Sequence, residues 1–458
     1  MTDVAPSTHL ADPVVIVGAG PAGSLLSIYL ARLGHRVTVY ERRPDLRRTS
    51  VDAGRSINLA LAFRGMVPLI EIGAIDEVDA ITIPMKGRMV HPVDGSAAEL
   101  QRYGNRPHEV IHSVSRTDLN AILLDAAEAT GMVDLQFDRP VERVDLETSR
   151  VIFADGSTAP FGVVFGADGA GSPVRTALVE AGVCDATVTA LDCCYKELTL
   201  PAGADGSHQL DPHALHIWPR GDHMLIALAN PGGDFTLTLF APQSRFDRLG
   251  TPEAIDSYFN EHFSDVVAMI DGLADEFMSH PMGTLGTLWA SGWHAGANAL
   301  VLGDAAHAVV PFHGQGMNAA MESVRVLARH LKAEPTDIAK AFAAYERERK
   351  PDTDAIAQMA IDNYTEMSSG VVDPDYLARR QLALDLEQRH PEHLSPRYNM
   401  VMFSTMPYSE ARSRAAQQAE IITAALADPT LDIDTLVQAL PPLPPLDPLI
   451  DPNALSVD

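Results

Sequence analysis

An α/β fold, with a parallel sheet interrupted by an antiparallel one, follows from three features of this chain. A buried-strand run enters a glycine-rich turn near the N-terminus, a block of alternating hydrophobicity occupies the middle, and a buried-strand pattern returns near residue 300 before a mostly helical remainder. With 458 residues the chain can bury a large core, and a prior of roughly 100–200 residues per domain fits two domains plus a tail.

The elements follow in order. Val14-Val15-Ile16-Val17 reads as a short buried strand, Ala22 to Leu33 as a helix stopped by Gly34, and Arg36 to Glu41 as a second strand, which makes a βαβ opening. Asp118 to Ala129 has helical periodicity, and Gly162 to Gly166 is another buried strand ending in Ala167-Asp168-Gly169. Between about 190 and 245 the runs Leu215 to Trp218, Met224 to Leu228 and Phe235 to Phe240 alternate, with Gly221-Asp222 and Gly232-Gly233-Asp234 between them. These are hairpins of an antiparallel sheet suited to cover one side of a ligand. Ala299 to Gly303 returns to the buried-strand pattern, and in the helix Met317 to Leu331 the residues Ala320, Val324, Leu327 and Leu331 share a face. The chain after about 372 is mostly helical until Pro441-Pro442-Leu443-Pro444-Pro445 opens an extended tail.

Composition removes several classes of function. Acidic residues outnumber basic ones 61 to 34, and the net charge of −27 repels nucleic acid and anionic membranes. Arg42, Arg43, Arg47, Arg48 and Arg55 form either a local basic pocket or a solvated loop. The three cysteines, Cys184, Cys193 and Cys194, make no CxxC pair and leave an odd thiol, which fits a reducing cytoplasm and no structural metal. The HxxH at His390 to His393 contains Pro391 and reads as loop. Neither a secretory signal nor an apolar run of about 18 residues is present, so a soluble protein is expected.

Three motifs carry chemistry. Gly18-Ala19-Gly20-Pro21-Ala22-Gly23 is a GxGxxG turn between strand and helix, where missing side chains admit a pyrophosphate to the helix N-terminus. Glu41 closes the following strand, placed to accept from ribose hydroxyls. Gly166-Ala167-Asp168-Gly169, with Ser172 and Arg175, is a second strand-to-loop turn. Third, Gly303-Asp304-Ala305-Ala306-His307 leads to Pro311-Phe312-His313-Gly314-Gln315-Gly316-Met317-Asn318. Asp304 there suits a polyol linker, and the helix after Gly316 points its positive end at a redox ring. Three such pieces closing on one extended dinucleotide point to FAD.

In this order the motifs resemble the class A flavoprotein aromatic hydroxylases, of the p-hydroxybenzoate hydroxylase fold. More specific strings resemble the kynurenine 3-monooxygenase family over most of the chain: Gly54 to Leu61, Gly87 to His91, Leu215 to Pro219, Pro311 to Asn318, Asn363 to Ser368 and Pro396-Arg397-Tyr398. The resemblance implies a Rossmann-like FAD-binding domain with an inserted antiparallel β-sheet substrate domain and a helical C-terminal region. The corresponding spans are 1–82, 106–182 and 286–372 for FAD, 83–105 and 183–285 for substrate, 373–440 for the helical region and 441–458 for the tail.

Position by position, the resemblance implies cofactor contacts from Ala22, Glu41, Arg42, Arg43, Ala60, Arg116, Val141, Asp304, Met317 and Asn318, to which the glycine motifs add Gly18, Gly20, Gly23 and Gly316 and the basic cluster adds Arg55. It implies substrate contacts from Arg88, Tyr103, Asn363 and Tyr398, with Glu366, Met367, Phe240, Met224, Ile226, Leu228, Leu215, Phe312 and His313 lining the pocket. The amino-acid head, ketone and aniline ring of kynurenine need a cation, polar partners and an apolar slot. Arg88 suits a bidentate carboxylate clamp, and Tyr103 and Tyr398 add hydroxyls.

The implied reaction has NADPH reducing FAD, O2 adding to the reduced ring as a C4a-hydroperoxide, and the terminal oxygen passing to L-kynurenine to give 3-hydroxykynurenine. The aniline nitrogen activates the carbon ortho to it, so no covalent nucleophile or obligatory acid or base is expected. The resemblance leaves the setting open among tryptophan catabolism, pyridine nucleotide biosynthesis and secondary metabolism. Unlike the eukaryotic members the chain shows no C-terminal membrane anchor, and a homodimer is left open. The alternatives are a hydroxylase of a substituted kynurenine or another aryl amino acid, and a non-catalytic FAD-binding redox protein.

Overall fold

The structure, a computed structural model, describes residues 10–48, 58–106, 108–428 and 430–444. Arg55, and the tail beyond residue 444, lie outside the described residues.

The β-branched run Val14–Val17 is buried along its whole length because it sits inside a six-stranded sheet. Across that sheet the strands run His294–Ala295, Ala299–Val301, Val163–Gly166, Val14–Val17, Val37–Tyr40 and Val133–Gln136. All pairs are parallel except the edge hairpin of the first two. The expected helix after the glycine turn spans Pro21–Arg32, one residue early because proline is preorganised for the first helical position.

Register decides what this sheet presents. Val17 lies opposite Gly166, and Gly166 opposite Val301, so three neighbouring strands end level. The turns that follow them begin at Gly18, Ala167 and Leu302, so the three motifs emerge side by side at the carboxyl edge, where strand order reverses around Val14–Val17. A surface cavity of about 670 Å³, lined by Asp12, Arg36 and Asp134 among others, opens at the other end of the sheet, away from these motifs.

The second sheet has seven strands, in the order Gly283–Ala290, Ala186–Leu200, Phe235–Ala241, Met224–Ala229, Leu215–Pro219, Gly87–Val90 and Glu99–Arg102. Its alternation divides two cores. Met224, Leu228, Leu215 and Phe240 face a cluster with Tyr103, Phe312 and Met367, whereas Leu225, Ala227, Leu237 and Leu239 face one with Phe259, Phe263 and Phe277. Leu215 pairs in parallel with Arg88, which places that arginine at the edge of the first cluster.

Two long helices, Gly316–Ala333 and Ile338–Ser368, follow the third motif, and Pro374–Arg389, Arg397–Met402, Tyr408–Ala427 and Ile433–Gln438 complete the described C-terminal region. Among the described residues no helix is long and apolar enough to cross a membrane.

Candidate active site

The glycine turn is a cradle that side chains would fill. A Cβ on Gly18, whose φ is +97°, would lie 2.5 Å from the Ala167 carbonyl oxygen, and one on Gly23 would lie 1.9 Å from that of Gly18. At Gly20 a Cβ would meet nothing within 4 Å, so this glycine leaves its approach to the helix N-terminus open. Glu41 braces the turn: Oε2 accepts from the Ala19 amide at 2.9 Å and Oε1 from the Arg43 amide at 3.0 Å. Arg42 and Arg43 are exposed beside it.

Asp304 is enclosed by protein yet its residue surface stays open to water, as for a group lining a deep groove. Burial raises its pKa, and Arg116 opposes that rise, which puts these two predicted cofactor residues within electrostatic reach of each other. Asp168 stands in the neighbouring turn with its Oδ1 buried and unpartnered; burial pushes its pKa up to about 6 against the hydrogen bond from Ser172. Ala60, Gly314, Gly316 and Met317 are all partly open along the next segment. Val141 starts the outlying ribbon strand Val141–Asp145 and is partly buried. An elongated anionic dinucleotide fits this set: a tight turn in which Gly20 leaves the backbone bare, an open helix N-terminus, two carboxylates for hydroxyl groups, and flanking arginines.

Two expectations change in kind. Asn318, expected at the cofactor, spends its side chain on the backbone: Oδ1 accepts from the Ala62 amide at 2.9 Å, and Nδ2 donates to the carbonyls of Ala60 and Gly314, each at 2.8 Å. It holds the loop's shape, leaving its main chain free to face a ligand. The basic cluster is likewise no open pocket at Arg47, which is paired with Asp45, Asp125 and Glu128 at 2.7–2.8 Å.

The substrate residues converge on the far side of the Phe312–His313 turn. Arg88 Nη1 lies 3.2 Å from Glu366 Oε1, and its guanidinium stands 5.1 Å from the Tyr398 ring centroid. Tyr398 is stacked between Tyr103 at 5.0 Å and His313 at 5.6 Å, centroid to centroid. Phe312 meets Phe240 edge-on at 5.1 Å, while Asn363 Nδ2 donates to the Phe312 carbonyl at 2.6 Å. Ile226 and Tyr398 pack against the cluster formed by Met224, Leu228, Leu215 and Met367.

Charge in this pocket is unbalanced. Burial works against ionisation of Glu366, yet Arg88 and then Arg397 hold its pKa below the usual carboxylate range. Arg380 lies within electrostatic reach of Arg88 as well, so three guanidiniums share the one carboxylate Glu366. Burial, reinforced by Arg397, lowers the His313 pKa to about 3, which keeps the ring neutral. The Tyr103 hydroxyl, both His313 ring nitrogens and Asn363 Oδ1 are buried without hydrogen-bond partners. Orphaned polar groups among apolar walls, with an excess of positive charge, fit an aromatic ligand bearing a carboxylate.

Residues 12–360 match the FAD binding domain family. The chain is 45% identical over 425 residues to the kynurenine 3-monooxygenase of Stenotrophomonas maltophilia, covering 91% of this chain and 93% of that one. The kynurenine 3-monooxygenase of Myxococcus xanthus is 45% identical over 413 residues, covering 88% of this chain and 89% of the other. The chain belongs to the kynurenine 3-monooxygenase family. Its fold is that of tetrameric 2-methyl-3-hydroxypyridine-5-carboxylic acid oxygenase, with a TM-score of 0.64 at 20% identity over 80% of this chain and 95% of that one. A probable FAD-dependent monooxygenase from Pseudomonas aeruginosa gives 0.63 at 22% identity, over 78% of this chain and 96% of that one.

For this kynurenine 3-monooxygenase family member, sequence reasoning passed over Arg397, Tyr376 and Arg380. Arg397 Nη2 bonds Glu366 Oε2 at 3.0 Å, and the Tyr376 hydroxyl donates to Glu366 Oε1 at 2.8 Å. Arg397 sits in the Pro396-Arg397-Tyr398 string that carried the resemblance, so its neighbour's position was the available signal. Tyr376 and Arg380 lie on one helix, Pro374–Arg389, with no motif to mark them.

Proposed function

We propose that this flavoprotein monooxygenase hydroxylates L-kynurenine to 3-hydroxykynurenine with NADPH and O2, with FAD along the groove from Gly18 to Asn318. The single observation that carries the substrate is Arg88, buried with Glu366 and flanked by Tyr398, in a pocket walled by apolar side chains.

Bound FAD would supply the ring that takes hydride from NADPH and activates O2 for transfer. Gly18, Gly20, Ala22 and Gly23 would cradle its pyrophosphate, Glu41 and Arg42 or Arg43 its adenosine half, and Asp304 with Arg116 its linker. Asn318 fixes the Ala60 and Gly314 carbonyls, and the Gly314–Met317 backbone it shapes would face the ring. Arg88 holds the carboxylate of kynurenine with guanidinium nitrogens that Glu366 leaves free, the Glu366 contact using Nη1. Tyr103 donates its unpartnered hydroxyl, and Asn363 Oδ1 accepts from a substrate N–H. Neutral His313 and Phe312 close the slot on the ring, while Met224, Leu228 and Phe240 exclude water. No side chain here needs to deprotonate the substrate to activate the reacting carbon, because the lone pair of the aniline nitrogen activates it.

The division into an FAD-binding part, 1–82, 106–182 and 286–372, and a substrate-binding part, 83–105 and 183–285, belongs to the same proposal. So does a cytoplasmic location, supported by three free, buried cysteines. Product analysis with kynurenine, a ring-methylated kynurenine and anthranilate side by side tests the reading. NADPH consumed in step with 3-hydroxykynurenine formation is expected; hydroxylation of only the methylated compound would replace the substrate.

A further inference from the structure

A buried ionic network joins the flavin loop to the C-terminal region. Arg64, on the helix Phe63–Ile72, pairs with Glu322 at 3.0 Å on the helix that follows the loop. It also donates to the carbonyls of Val401 and Met406, each at 3.0 Å. Both ends of the 401–406 turn are thereby held by one side chain. Arg349 shares Glu322 at 3.0 Å and pairs with Asp352, whose Oδ1 accepts from the Ser409 amide at 3.0 Å. Two guanidiniums against two carboxylates leave this network neutral. Such buried pairs are weak sources of stability because desolvation offsets their attraction, and their better-attested use is to specify position.

The side chain they position is Tyr408. Its ring lies 3.8 Å beneath the Arg64 guanidinium, it is fully buried, and its hydroxyl donates to Gln315 Oε1 at 2.7 Å. Burial raises the Tyr408 pKa, which keeps the phenol protonated and donating. The amide has one sensible orientation, because Gln315 Nε2 points at Met402 Sδ, 2.9 Å away, where an oxygen would meet lone pairs. Gln315 has no exposed surface, stands between Gly314 and Gly316, and accepts the first turn of the Gly316–Ala333 helix through its carbonyl, with Ala319 N at 2.8 Å.

We propose that Tyr408 is a positioning residue for the flavin: through Gln315 it sets the Gly314–Met317 backbone from the C-terminal side, as Asn318 does from the side of Ala60. The inference rests on the reading of the groove as the FAD site. It makes the C-terminal region part of the cofactor's seat as well as of the substrate pocket.

The experiment measures FAD affinity of deflavinated protein by quenching of flavin fluorescence, with the visible absorption and circular dichroism of the bound flavin. Tyr408→Phe removes one hydroxyl and is expected to weaken FAD binding about 5- to 20-fold, to alter the flavin spectrum, and to divert part of the NADPH oxidation from product. Tyr258→Phe deletes a buried hydroxyl without a hydrogen-bond partner in the core on the other face of the seven-stranded sheet, and should leave all three readouts as in the wild type. Gln315→Met should match Tyr408→Phe, and the double variant should be no worse than either single one. Unchanged affinity and spectrum in Tyr408→Phe, or additive losses in the double variant, would overturn the assignment to Tyr408 alone. A wild-type chain that binds no flavin would overturn it together with the groove reading.

Discussion

Arg88 and Glu366 form an ion pair at 3.2 Å across 278 residues of sequence, joining the penultimate strand of the seven-stranded sheet to the end of a long helix. Because Arg397 holds the other oxygen of Glu366, removing Arg88 leaves the carboxylate paired. Arg88→Met is therefore expected to fold, to retain FAD, and to raise the KM for kynurenine about 30- to 1000-fold, corresponding to ~2–4 kcal/mol for a buried charged contact. Steady-state kinetics alongside flavin absorbance checks this, and unchanged turnover at low kynurenine removes Arg88 from the substrate site.

Tyr103 offers a cleaner separation of stability from binding. Its hydroxyl is buried beside Arg88 and Tyr398 without a well-formed hydrogen bond, so Tyr103→Phe should leave the melting temperature nearly unchanged. If that hydroxyl serves a ligand, the same change should raise KM about 5-fold, for a hydrogen bond worth ~1 kcal/mol. A loss of stability with unaltered KM would mark Tyr103 as structural only.

Asn318→Ala should damage the cofactor loop. Three backbone groups, the Ala62 amide and the Ala60 and Gly314 carbonyls, lose their partner together. A cost of about 3 kcal/mol in urea unfolding is expected, with FAD lost on gel filtration. Full flavin retention in this variant would show that the loop holds its shape by other means.

Glu387 makes one interface sensitive to pH. Its carboxylate and that of Glu109 flank Asn399 Nδ2 at 3.5 and 3.3 Å, between the Tyr103 loop and the helix that carries Arg397 and Tyr398. Burial, then repulsion from Glu109, pushes the Glu387 pKa up from 4.5 to about 7. Between these values the folded state keeps a proton that the unfolded chain has released, so this group's contribution to stability falls as pH rises through that window. Glu387→Gln removes the dependence, and at pH 8 should be more stable than the wild type by about 1–3 kcal/mol. Thermal unfolding at pH 5 and pH 8 decides it: parallel losses in both proteins would acquit Glu387.

Much of the framework is legible without coordinates. The Val14 to Glu41 unit, the three hairpin strands and the helix after Gly316 follow from local periodicity, because each buries a face whose spacing is written in consecutive residues. Even the split between Met224, Leu228 and their odd-numbered neighbours is readable as one face against the other. Motif chemistry carries equally well where it is local, as in the bare backbone of the Gly18–Gly23 turn.

What the chain alone could not decide is which distant faces meet. Arg88 is one arginine among many until parallel pairing with Leu215 and the end of a 31-residue helix bring Glu366 to it. Asn318 reads as a cofactor residue from its place in the motif, yet packing turns its amide onto Ala60, Ala62 and Gly314. Gln315 and Tyr408 carry no pattern relating them, and only the network around Arg64 makes them partners. The amino-acid sequence by itself determined the elements, the dinucleotide turn and the family likeness, since these depend on neighbours along the chain. The tertiary structure decided the charge balance of the pocket and the bracing of the flavin loop, since hydrogen bonds and ion pairs depend on ångström-scale distances between segments that local periodicity does not relate.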